Sequence, residues 1–147
     1  MAVACDVRYC SADARFCVKE VDLAITADIG TLQRLPTLVG HGVATEMALT
    51  ARVVRAEEAK AIGLVTEVAP DAAALEAAVA ERAEALAAKS PLAVQGTKQA
   101  MLHARDHSVG DGLEFVAMMN SARLTSEDLS EAMGAKFARR APTFSKL

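Results

Sequence analysis

The chain has 147 residues, of which 52% are apolar and 24% charged, and carries a formal net charge of −3. Its length suits one domain core, while eight Gly and four Pro exclude collagen-like, mucin-like and disordered classes. Weak acidity and the lack of clustered Lys and Arg interleaved with aromatics exclude nucleic acid as a partner.

Residues 2–9 alternate, with Val3, Cys5, Val7 and Tyr9 on one face, and this period predicts a strand. The same N-terminal stretch has neither the charged start nor the apolar core of a signal peptide. Residues 15–21 predict a second short strand. Two short strands do not make a stable sheet by themselves, so this segment is expected to need neighbours from outside the chain. Cys5, Cys10 and Cys17 are odd in number, with no CxxC spacing and no nearby His. They read as reduced, mostly buried thiols rather than a disulfide framework or zinc site.

Thr31 is placed to cap a helix over 31–39, which Pro36 should bend or end. Gly40-His41-Gly42 reads as a break. Short helices are predicted over 44–51 and 56–61, the second stopped by Gly63 at a position that favours positive φ. Residues 64–68 read as extended. Asp71 then caps an alanine-rich helix to about Lys89, with Leu75, Val79 and Leu86 on one stripe. Ser90-Pro91 opens the next helix, 92–103, which yields at Asp106-His107-Ser108. Two more are predicted over 112–124 and 126–140, the last capped at Thr125/Ser126 with Glu127 and Asp128 in its first turn. No apolar stretch approaches the roughly 18–20 residues needed to cross a bilayer, so no membrane insertion is expected. There is no internal repeat.

The candidate chemistry is acidic. Glu20 and Asp22 share one side of an extended segment, and Asp28 follows between Ala27 and Ile29. Carboxyl groups set among apolar residues can move protons, because burial disfavours the charged form and raises their pKa. The plainer alternative for such acids is a solvated loop or a helix cap.

The runs 1–10, Val18-Lys19-Glu20-Val21-Asp22 and Ala27-Asp28-Ile29-Gly30-Thr31-Leu32-Gln33-Arg34-Leu35-Pro36 resemble the enoyl-CoA hydratase/isomerase (crotonase) superfamily. So do Leu49-Thr50-Ala51-Arg52, Ala56-Glu57-Glu58-Ala59, Lys89-Ser90-Pro91, Thr97-Lys98 and Arg105-Asp106-His107-Ser108. The segment around Glu20 and Asp28 is most similar to the dienoyl-CoA isomerase branch, since hydratases of this family carry a glycine where this chain has Asp28. The resemblance implies an α/β, crotonase-like fold in truncated form. Residues 1–68 would be a short β/α remnant of the spiral core bearing the acids, and 69–147 a mostly helical, oligomer-forming region. It also implies that the family's N-terminal half, with a Gly-rich turn, both oxyanion N–H groups and a third acid, lies outside this sequence, as in an internal start, a truncated product or an alternative transcript.

The implied activity is isomerisation of a 3,5-dienoyl-CoA to a 2,4-dienoyl-CoA in fatty acid β-oxidation, with no cofactor and no metal. Glu20 and Asp28 match the two proton-transfer acids, and Asp22 an orienting residue. The implied partners are the acyl-CoA substrate and further copies of the chain, as a trimer or a dimer of trimers. Lacking the oxyanion donors, the chain is expected to be inactive alone. The alternatives are a non-catalytic short isoform that assembles with full-length subunits, and an enoyl-CoA hydratase. Ser145-Lys146-Leu147 spells a peroxisomal address at a free C-terminus, so the expected location is peroxisomal in a eukaryote and otherwise cytoplasmic. His41 reads as a structural loop histidine, and His103 with His107 as a helix end rather than a metal site. Phe115, Met118 and Met119 read as core or subunit contacts. Arg139 and Arg140 could approach a CoA phosphate, but also suit a helix C-terminus.

Overall fold

The computed structural model describes residues 2–145, so Lys146 and Leu147 of the C-terminal tripeptide lie outside it. Strands are shorter than the alternation suggested. Ala2–Ala4 is a 3-10 turn that packs against the helix at 31–39, and the first strands are Tyr9–Ser11 (β1) and Arg15–Phe16 (β2). Small side chains such as Ala2 and Ala4 give a period-two pattern little weight against the burial of Val3 on the core.

Strand neighbours come from the chain itself, which corrects the expectation that β1 and β2 depend on outside residues for pairing. Val54–Arg55 (β3), which the sequence pattern did not reveal, runs antiparallel to β2 with Phe16 opposite Val54. Glu67–Ala69 (β4) runs parallel to β1 with Cys10 opposite Val68. Each sheet still has only two strands, so its stability must come from the layer packed on it.

That layer is helical. Thr31–Val39 (α1) and His41–Thr50 (α2) pack on one another, and Ala56–Ala61 (α3) packs on β2, β3 and β4. Helix α1 runs through Pro36, because the hydrogen bond lost there is outweighed by burial of Leu35 and Val39 on either side. Its N-cap is Gly30 rather than Thr31. The predicted break at 40–42 shrinks to Gly40, whose φ of 80° and ψ of 155° turn the chain between α1 and α2. Nothing lies within 4 Å of a Cβ built there, so the backbone angle alone demands glycine. His41 is the first residue of α2, exposed, with Nδ1 3.3 Å from Thr45 Oγ1. Gly63 follows α3 with φ 78°, as its position predicts.

The chain divides into two compact units, Met1–Ala80 and Glu81–Leu147. The first holds nearly all of the core, in which Leu35, Met47 and Val54 are the largest fully buried side chains. Arg52 fixes the turn after α2, with Nε 2.9 Å from Glu46 Oε2 and Nη1 2.7 Å from Glu58 Oε1. Of the cysteines only Cys10 is buried, and burial pushes its thiol pKa up; Cys5 and Cys17 are exposed, contrary to expectation.

Helices α4 (Ala72–Ala87), α5 (Pro91–His103), α6 (Val109–Arg123) and α7 (Glu127–Phe137) follow. In α4 the predicted apolar stripe stays uncovered, with Val79 and Leu86 both exposed. Asp71, Ser90 and Ser126 cap α4, α5 and α7 through Oδ1 or Oγ contacts to Ala74, Ala93 and Leu129 N–H. Ser108 opens α6 three residues earlier than predicted, in a capping box with Asp111, whose carboxyl the Ser108 hydroxyl holds below its usual pKa.

The last helix ends at Phe137, short of the predicted 140, and the chain folds back. Arg140 then pairs with Glu131 through two bonds of 2.5 and 2.8 Å, while Thr143 N–H donates to the same carboxylate at 2.8 Å. These bonds, the Arg140 guanidinium first and the Thr143 amide second, hold the Glu131 pKa at about 2 rather than 4.5.

Two outcomes follow from these contacts. Met47→Ala should cost about 2–5 kcal/mol in urea unfolding, whereas Leu49→Ala, on an exposed face of the same helix, should change stability by less than about 0.5 kcal/mol. A lowered folded-state pKa stabilises above the ordinary value, so the Glu131 contribution is present above pH 4.5 and is lost as pH falls through about 2. The stability gap between wild type and Glu131→Gln should therefore close on acidification across that window. A gap that is constant with pH would contradict the pairing.

Candidate functional site

The acids lie on the stretch between β2 and α1, and two buried side chains pin that stretch to the first unit. Val18, two residues before Glu20, is 6% exposed, and Ala27, immediately before Asp28, is 7% exposed. Between them the chain forms a 3-10 turn over Glu20–Leu23, which packs against α2. The turn closes through Ala24, left-handed at φ 57°, whose N–H donates to the Val21 carbonyl at 3.2 Å, and through Ile25 N–H to Glu20 O at 3.2 Å. Asp28 stands three residues before α1, and Gly30, at φ 84°, sets the angle at which that helix begins.

The three predicted acids fare differently. Glu20 is half-buried at the start of the turn, and its carboxylate makes no hydrogen bond or ion pair among the described residues. Asp28 is exposed and equally unengaged. Asp22 is brought to Lys19 instead, with Nζ 2.5 Å from Oδ2, and the hydrogen bond to that carboxylate raises the Lys19 pKa. Both groups are largely exposed, so the pair adds little to the stability of the fold.

The apolar surroundings that the sequence suggested for these acids are present but uncovered. Leu23, Ile25 and Ile29 are 66%, 56% and 67% exposed, so these residues do not bury Asp28. What the stretch offers is two unpartnered carboxylates on a pinned segment with an apolar surface between them. Such a surface suits a lipophilic ligand laid along it, with a proton acceptor and a proton donor at separate points. Sequence reasoning missed Lys19, although its i, i+3 spacing to Asp22 was a usable signal. It also missed the left-handed Ala24, for which no residue type gave a cue.

His103 stacks on His107 at 3.7 Å between centroids and 13° between planes, and on Phe115 at 4.2 Å and 7°. Parallel stacked rings do not converge two nitrogens on one ion, and His107 Nδ1 lies 2.8 Å from the His103 carbonyl. Among the described residues no group of three potential metal ligands occurs. Arg140 is occupied by Glu131, and Met118 is exposed.

The sequence profile described as enoyl-CoA hydratase/isomerase matches residues 1–146. The peroxisomal Δ(3,5)-Δ(2,4)-dienoyl-CoA isomerase of Arabidopsis thaliana is 53% identical over 147 residues, covering 100% of this chain and 53% of that protein. The mitochondrial Δ(3,5)-Δ(2,4)-dienoyl-CoA isomerase of Homo sapiens is 47% identical over 152 residues, covering 100% and 46%. Among solved structures, an enoyl-CoA hydratase from Bacillus anthracis superposes with a TM-score of 0.92 at 34% identity, covering 97% of this chain and 55% of that one. This chain spans about half the length of the curated relatives it matches. With the profile match over almost its whole length, and a crotonase-type fold shared with its structural neighbours, the chain belongs to the enoyl-CoA hydratase/isomerase family.

Proposed function

We propose that this chain contributes the proton-transfer acids of a dienoyl-CoA isomerase, converting a 3,5-dienoyl-CoA to its 2,4-isomer during β-oxidation of unsaturated fatty acids. The carrying observation is that Glu20 and Asp28 are both unpartnered carboxylates on one segment, anchored at Val18 and Ala27. Relatives named for this isomerisation, at 53% and 47% identity, support the reading. Asp28 acts as base at the thioester end, taking a proton from carbon, and Glu20 returns one at the far end of the diene. The double bonds shift, no net proton is consumed, and no oxidant or cofactor takes part. Asp22, held by Lys19, orients the turn that carries Glu20.

The intermediate is enolate-like, and its oxygen needs backbone N–H donors where the charge develops. By family resemblance those donors, one of them in a Gly-rich turn, are expected in an N-terminal half outside these residues. Removing one such donor typically costs about 10²–10³ in rate, so the chain alone is expected to be inactive. Acyl-CoA is the substrate class, and the working form is an oligomer. Exposed Leu113, Met118 and Phe137 in the second unit support association with further copies or with full-length subunits, the non-catalytic alternative for a short chain. A peroxisomal location is proposed for a eukaryotic source, from the tripeptide and from the name of the Arabidopsis relative.

Adding 3,5-dienoyl-CoA and following the ultraviolet absorbance of the conjugated 2,4-product tests this directly. No turnover is expected from the chain alone, and turnover is expected once it is joined to an upstream half bearing the Gly-rich turn. In that active form Glu20→Gln and Asp28→Asn should each lower kcat by about 10²–10⁴, while Asp22→Asn should have a smaller effect. Wild-type rates in either of the first two variants would remove that acid from the mechanism. Accumulation of a 3-hydroxyacyl-CoA from a 2-enoyl-CoA would favour the hydratase reading instead.

A further inference from the structure

Beyond α7 the chain is tied back onto the second unit. Arg139, left-handed at φ 52°, reverses it, and the Arg140 N–H donates to the Ala135 carbonyl at 3.0 Å. The Arg140 guanidinium and the Thr143 N–H then share the Glu131 carboxylate. A bidentate guanidinium plus a backbone donor on one half-buried acid holds more firmly than an exposed single-contact ion pair. Between these two contacts Pro142 fixes its own φ, which stiffens the returning chain.

The tail stays against the fold after this latch. Phe144 is half-buried, and with Pro142 and Thr143 it lines a groove shared with Leu86 near the end of α4 and with Pro91 and Val94 at the start of α5. Ser145, the first residue of the tripeptide Ser145-Lys146-Leu147, lines the same groove. Three residues reach at most roughly 10–11 Å when extended, whereas a receptor wall one helix thick is about 10–12 Å. A receptor that takes the terminal carboxylate behind such a wall therefore needs chain from before Ser145 as well.

We propose that the contacts of Glu131 with Arg140 and Thr143 form a latch on the C-terminal address: residues 142–144 must leave the groove before a receptor for a free Ser-Lys-Leu end binds. The inference rests on the peroxisomal reading of the tripeptide. The affinity of the whole chain is then that of a free tail reduced by the unlatched fraction. None of Glu20, Asp22 or Asp28 lines this groove, so the latch is independent of the proposed isomerase chemistry.

Fluorescence anisotropy with the purified receptor that reads Ser-Lys-Leu ends tests the latch, comparing the full chain with a free peptide of residues 141–147. The peptide should bind about tenfold more tightly than the chain, and Glu131→Gln, which leaves the tail sequence intact, should bring the chain within about threefold of the peptide. Equal affinities of wild-type chain and peptide, or of wild type and Glu131→Gln, would overturn the proposal. Should Glu131→Gln unfold, the comparison of wild-type chain with peptide decides. Carboxypeptidase release of Leu147 gives a readout that needs no receptor: it should be about tenfold slower from the chain than from the peptide. A receptor that binds neither chain nor peptide refutes the peroxisomal reading, and the release rates then decide the latch alone, equal rates overturning it.

Discussion

Everything the acid-bearing segment can do depends on the burial of two small side chains. Val18 and Ala27 sit in the core of the first unit, and the chain between them has too little apolar contact of its own to hold a shape. Pinning both ends converts what would be a free loop into a short arc whose conformations are limited by closure. The 3-10 turn, closed by bonds to the Glu20 and Val21 carbonyls and steadied by Lys19 and Asp22, limits them further at the Glu20 end. At the other end Gly30 and the start of α1 do the same for Asp28. Proton transfer between two points on a ligand rewards this arrangement, since misplaced acids lose most of their advantage.

The core that supplies those anchors is small, and its construction explains why it tolerates local rule-breaking. Pro36 lies inside α1, and Ala24 and Ala51 adopt left-handed angles that cost free energy for residues with a Cβ. Each stands beside a buried contact: Pro36 beside Leu35, Ala24 in the turn packed on α2, and Ala51 at 7% exposure ahead of Val54. Packing decides these positions, and local propensity yields to it.

Helices with a chemical punctuation mark were legible from the residues. Asp71, Ser90 and Ser126 each carry a side-chain oxygen that accepts an orphan N–H, and Gly63 ends α3 in the expected conformation. Ser108 was a cap of the same kind, hidden because Gly110 and Gly112 weaken the helical reading of the first turn. The strands were harder to see. β3 is two residues long, too short for any period to register, and its pairing with β2 is a tertiary fact. For the site, the sequence and its family resemblance supplied the identities of Glu20 and Asp28. Neither could supply the exposure of their apolar neighbours, because exposure depends on which other surface is laid against the segment.

The second unit shows the same division between local and tertiary information. Its caps follow from sequence, whereas the fold-back of Arg140 onto Glu131 and the seat of Arg123 on Gly96 join residues that no local pattern connects. The most direct measurement of whether the pinned segment serves one ligand is ¹³C NMR of the Glu20 and Asp28 carboxyl carbons in the chain joined to an upstream half, during titration with an unreactive acyl-CoA thioether. Both resonances should move along a single saturation curve. Movement of one carbon while the other stays fixed through saturation would show that the two carboxylates do not flank the same acyl chain.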